Sequence, residues 1–270
     1  MQKTTKPESE LTAQEKFLIS YEKHKKKIIS LRFIVLILFL ILWEISSATG
    51  LIDRFFFASP SIVIKCAIDM TLNQTLLTNI GITLAETLIS FLLVIIIGIG
   101  AATILWHQKS ISEIAEPYLV ILNSLPKSAL APLFIVWLGT GMKTIIVAGV
   151  SVAVFGCIIS IYTSFIQVDS EEMKLIYTLG GNKNDVFRKV VFPSSIPTII
   201  SNMKVNIGLS LVGVIIGEFL AAKRGLGYLI IYGSQVFQLD MVITSIIILC
   251  IIAIFLYQGI CKLEKYYLKK

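Results

Sequence analysis

Apolar residues in this chain gather into long runs separated by short polar stretches. A helix needs about 20 apolar residues to cross a hydrocarbon core about 30 Å thick. Six runs meet or approach that length: 28–47, 83–106, 118–138, 144–166, 199–220 and 241–260. Helices are forced on them, because lipid offers no partner to an open backbone N–H or C=O. The third run is the weakest, since it holds Pro126, Lys127 and Pro132. The pattern predicts an all-α integral membrane protein of six transmembrane helices. A basic N-terminal tail, 1–27, precedes one six-helix membrane domain, 28–260, and a basic C-terminal tail, 261–270, follows it.

Composition supports this. Of 270 residues, 56% are hydrophobic and 15% charged, with a mean hydropathy of +0.84. Soluble domains carry about 25% charged residues, so this chain has too few to clothe a water-facing surface. The net charge of +7 does not point to nucleic acid, because the basic residues fill the gaps between apolar runs. With the N-terminus inside, the inner side holds seven basic residues before the first run and Arg32 in its first turns, then Lys109, Lys174, Lys183, Arg188, Lys189, Lys262, Lys265, Lys269 and Lys270. The outer segments hold Arg54, Lys65, Lys143, Lys223 and Arg224. That imbalance predicts both termini in the cytoplasm. The first run ends at Trp43-Glu44 without a small-residue cleavage site and is expected to stay as an anchor. Cys66, Cys157, Cys250 and Cys261 form no C-x-x-C pair, and His24 and His107 stand alone, so the cysteines read as small hydrophobes and no metal site is expected.

Chemistry concentrates in the inner loop 167–196. Asp169 or Ser170 can cap a helix whose first turn carries Glu171 and Glu172, favoured by the helix dipole. Met173, Ile176, Tyr177 and Leu179 give it an apolar stripe, and Gly180-Gly181-Asn182 stops it. A second short helix is expected over 184–191. Pro193 and Pro197 mark the approach to the fifth span. From spacing alone, this compact knob is either a docking element for a soluble partner or an ordinary solvated connection.

The loop resembles the coupling loop of binding-protein-dependent ABC importer permeases, whose pattern is E-A-A, three residues, glycine, then hydrophobic-x-proline. Gly180 fits the glycine, and Val191-Phe192-Pro193 the proline end. The E-A-A positions carry Lys174, Leu175 and Ile176, a departure, with Glu171 and Glu172 slightly early. Three more segments are similar to the nitrate/sulfonate/taurine-type branch: Ala58-Ser59-Pro60, the stretch 123–141, and Gly217-Glu218 followed by Gly225-Leu226-Gly227-Tyr228. The resemblance implies a type I, methionine-permease-like transmembrane domain in a bacterial inner membrane. Its partners would be an ABC ATPase subunit, an extracytoplasmic solute-binding protein, membrane lipid and a second permease copy, forming a homodimer. ATPase coupling would fall to Glu171, Glu172, Lys174, Tyr177, Gly180, Gly181, Asp185 and Pro193. The chain has no G-x-x-x-x-G-K-[ST], and Gly141-Met142-Lys143-Thr144 is only superficially similar to its end. ATP and Mg would therefore be bound by the partner, leaving this chain without a cofactor or enzymatic activity of its own.

Four residues are candidates for the translocation path. Lys127 either lines it for an anionic solute or snorkels beside a proline break. Glu218, about 31 Å of helix beyond Pro197, is either an outer-gate or binding-protein contact or a solvated helix end. Asn206 and Ser210 share a helical face and suit a cavity wall. Gly213-x-x-x-Gly217 and the Gly98/Ala102 pair allow close helix approach, at a permease–permease seam or, more simply, inside one subunit. The expected cargo is a small sulfonate-, taurine- or nitrate-like solute, with a pyrimidine-type vitamin precursor as the alternative. A stand-alone secondary carrier would show related halves and paired mid-membrane ionisable groups, and a membrane enzyme would show an acidic pair or histidine cluster; neither pattern is visible in the sequence.

Overall fold

The computed structural model describes residues 13–268, and among these every regular element is a helix. The chain divides into two compact units, Met1–Ile64 and Lys65–Lys270. In the first, α1 (Ala13–Ala48) leads to a short α2 (Arg54–Phe57) and the start of α3 (Pro60–Leu72). The Glu44 carboxylate accepts from the Ser61 backbone N–H at 3.0 Å and from its hydroxyl at 2.8 Å, fixing the α3 entry. Because α1 begins at Ala13, the described part of the basic tail is helical and continuous with the first span; residues 1–12 and 269–270 lie outside the described residues.

In the second unit follow α4 (Thr75–His107), α5 (Lys109–Ser124), α6 (Lys127–Leu138), α7 (Met142–Ile166), α8 (Ser170–Thr178), α9 (Lys183–Val186), a π-turn (Phe187–Val191), α10 (Phe192–Ala221), α11 (Leu226–Gln235) and α12 (Leu239–Leu268). Among the described residues, counting α1, five helices are long and apolar enough to cross a membrane, or six if α5 and α6 count as one span. That pair departs from the simple expectation over 118–138: it bends by 96° at Leu125-Pro126. Leu125 is extended, as a residue before proline is pushed to be. The second span also starts earlier than expected, at Thr75. Asn79 and Thr83 are buried in protein, so hydropathy understates the helix.

Helix α7 is the axis of this unit, packed along both α4 and α10, while α12 closes on α10 and α11. Lipid tails are as apolar as leucine, so these contacts rest on close van der Waals fit rather than on escape from water. Small residues supply the fit. A Cβ at Gly213 would lie 2.8 Å from both Ala148 O and Gly149 Cα, and one at Gly217 would lie 2.9 Å from Ile145 Cα. At Gly98 it would meet the Cys157 sulfur at 2.6 Å. Both small-residue motifs therefore seat helices within one subunit.

Candidate functional site

The loop between α7 and α10 folds as its caps dictate. The Asp169 side chain accepts from the Glu171 N–H at 2.9 Å, starting α8. Gly180, at φ +85°, ends it, and the N–H groups of Gly180 and Gly181 donate to the carbonyls of Tyr177 and Ile176. A side chain at Gly181 would strike Ile176, so the turn closes tightly on the helix. Asn182 and Asp185 form a reciprocal capping box that opens α9. The expected second helix over 184–191 is a single turn that passes through the π-turn directly into α10. Pro193 sits in the first turn of α10 and Pro197 just inside it, so the knob joins the fifth span without a hinge.

The apolar stripe of α8 divides between two directions. Met173 and Ile176 pack into the core formed by α4, α7 and α10. Leu175, Tyr177 and Leu179 point outward and are 60%, 49% and 76% exposed, with Glu171, Glu172 and Lys174 exposed around them. These apolar side chains stand bare among charged ones, Leu175 and Leu179 one helical turn apart and Tyr177 about 200° around α8 from Leu175. Asp185 is committed to the capping box, and Gly180, Gly181 and Pro193 to shaping the backbone.

The path candidates separate into two places. Lys127 starts α6, where its ammonium donates to the Asn123 carbonyl near the end of α5. It edges an apolar cavity of about 440 Å³ whose walls include Leu93, Ile97, Phe134, Val150 and Phe155. Asn206, Ser210 and Glu218 instead lie buried in the bundle.

Glu218 is not a solvated helix end: it is 1% exposed. One carboxylate oxygen accepts from the Thr83 hydroxyl at 2.7 Å, the other from the Gly227 N–H at 2.6 Å. Thr83 in turn accepts from the Leu226 N–H at 2.9 Å, and Asn79 accepts from the Gly225 N–H. The α10–α11 turn is thus held by side chains from α4. Gly225, at φ +113°, and Gly227 lie flat on the Glu218 carboxylate, where any Cβ would collide with it.

Sequence reasoning missed Glu86. It is 2% exposed, its side chain reaches that of Glu218, and one of its oxygens has no hydrogen-bond partner. Thr87 and Ser210 carry buried hydroxyls in the same condition. The signal was available: an acidic residue three positions into an otherwise apolar run is costly unless it faces protein. His107, read as isolated, bonds to Asn184 of the knob at 3.0 Å.

Residues 94–260 match the family described as binding-protein-dependent transport system inner membrane component. A probable ABC transporter permease protein of Haemophilus influenzae is 28% identical over 82% of this chain and 89% of its own length. The formylaminopyrimidine transport permease protein ThiX of Halalkalibacterium halodurans is 27% identical over 84% and 90%. Among solved structures, a chain of the MetNI methionine ABC transporter in inward-facing conformations superposes with a TM-score of 0.64 at 17% identity, covering 72% of this chain and 96% of that one.

Proposed function

Since this chain belongs to the family of binding-protein-dependent transport system inner membrane components and is an ABC transporter permease subunit, we propose that the α8–α9 knob is the seat of a separate ATPase in an importer for a small anionic organic solute. The observation that carries the docking half is the outward trio Leu175, Tyr177 and Leu179 beside the capped glycine turn. In this reading the knob faces the cytoplasm with both termini, as the basic residues favour, and the ATPase binds ATP and Mg. A solute-binding protein delivers cargo on the opposite face of a bacterial inner membrane, and a second copy of the permease completes the channel.

The cargo half is supported by Lys127. An ammonium at the rim of an otherwise apolar cavity of about 440 Å³ favours a small molecule with one apolar end and one anionic end, which a taurine- or sulfonate-type solute has. The ThiX likeness favours a second reading, a pyrimidine-type precursor, in which Lys127 serves only to cap α5.

Docking is tested by purifying the permease with its ATPase subunit from membranes, comparing wild type with Leu179→Asp. Loss of the ATPase from the variant is expected; equal recovery sinks the docking assignment. Cargo is tested by competing labelled taurine against a formylaminopyrimidine in vesicles. Uptake of the pyrimidine alone would transfer the assignment to the second reading.

A further inference from the structure

The knob continues two spans by covalent connection, α7 and α10, but it is also fastened to a third. Lys183 donates to the main-chain carbonyl of His107 at 2.7 Å, one of the carbonyls left open at the end of α4, where a cation is favoured by the helix dipole. The same ammonium lies 5.4 Å from the centre of the Trp106 ring. Next to it, His107 Nε2 lies 3.0 Å from Asn184 Oδ1 and Nδ1 lies 2.9 Å from the Thr103 carbonyl; both facing atoms are acceptors, so a neutral imidazole donates to one of them, according to its tautomer. Phe187, the first residue of the π-turn, packs on Trp106 at 5.2 Å, His107 at 5.0 Å and Phe165 at 5.4 Å. Val186 and Val191 on either side are fully buried. The π-turn widens the backbone at the point where these rings must fit, a use typical of such bulges at functional positions.

Helix α4 runs from this contact to the Glu218 clamp without a proline. From Thr83 to His107 is 24 residues, a rod of about 36 Å. One end is gripped by the knob, and the other holds the α10–α11 turn through Asn79 and Thr83.

We propose that Lys183, Asn184 and His107 form a brace through which a docked ATPase moves α4, making Lys183 and His107 positioning residues that couple ATP hydrolysis to opening at the far end of that helix. The brace rests on the docking reading above but lies outside the docking trio, so the two can fail separately. Pulling on the knob shifts α4 with α7 and α10 as one body, and the displacement reaches the α10–α11 turn along a single stiff element. This is a mechanical connection through packed groups rather than a correlation between distant sites.

The test uses the whole transporter, permease with its ATPase and binding protein, reconstituted in liposomes. Lys183→Ala and His107→Ala are compared with Lys183→Arg and His107→Gln, which keep a donor in place. The expected result is unchanged recovery of the ATPase, continued ATP hydrolysis, and solute moved per ATP reduced at least about fivefold, with the conservative variants restoring most of it. A wild-type ratio of solute to ATP in both alanine variants overturns the brace. So does loss of the ATPase from these variants, which would place the residues in docking instead. Failure of the wild-type permease to retain an ATPase at all would overturn the docking reading itself.

Discussion

Removing the Glu218 carboxylate should destabilise the bundle by an amount that Gly225 can report on. In Glu218→Ala the Thr83 hydroxyl and the Gly227 N–H, now bonded at 2.7 and 2.6 Å, lose their acceptor inside protein. Each orphaned buried donor costs about 1–3 kcal/mol, so the pair costs about 2–6 kcal/mol. Gly225→Ala reaches the same bonds by another route. Its Cβ would stand 2.4 Å from the Glu218 carboxyl carbon, so the carboxylate must leave its donors, and a non-glycine residue at φ +113° adds about 1–3 kcal/mol of backbone strain. Once Glu218 is already alanine, only the strain remains. The double variant should therefore be about 2–6 kcal/mol better than the sum of the two single variants. Unfolding of the four proteins by detergent titration in mixed micelles measures this cycle. If the single effects add to within about 0.5 kcal/mol, the carboxylate and the glycine turn are not one unit and the clamp is wrong.

Three further outcomes follow from the same geometry. Gly213→Leu should abolish a monodisperse peak in detergent size-exclusion, because its side chain lands on the α7 backbone, whereas Gly208→Leu, with open space around it, should elute like wild type. Gly180→Pro should lose the ATPase on co-purification while the permease itself stays folded, since proline is confined near φ −65° and the turn needs φ +85°; retention of the ATPase would refute the turn's role. Lys127→Met should lower uptake of an anionic solute about tenfold or more, the effect of losing one charge-assisted contact worth about 1.5–3 kcal/mol, and transport assays showing unchanged uptake would remove the lysine from the path.

How far the sequence could be read differs sharply between the knob and the bundle. In the knob, Asp169 and Gly180 act on backbone within four residues of themselves, so spacing alone located the first helix and the turn after it, whereas the expected helix over 184–191 is one α turn followed by a π-turn. Spacing did not reveal that Ile176 turns inward while Leu175 and Leu179 face out, because that depends on what α4 and α7 place beneath the loop. The break of the third span was foreshadowed by Pro126, but its 96° angle was not, since proline forbids a continuous helix without choosing a direction.

By itself the sequence determined that the chain crosses a membrane as helices, roughly where the unbroken crossings lie, and how the first helix of the loop between the fourth and fifth runs starts and stops. Those are consequences of hydrophobic length and of local backbone chemistry, both written in neighbouring residues. Only the tertiary structure decided which face of each helix meets another. It brought Glu86 and Thr83 to Glu218 across more than a hundred residues, seated Gly213 on α7, and tied His107 to Asn184. In water, an amphipathic stripe marks the buried side of a helix. In lipid, both sides are apolar, so the period that would identify the packed face is largely erased, and the partners become visible only once the helices are in place.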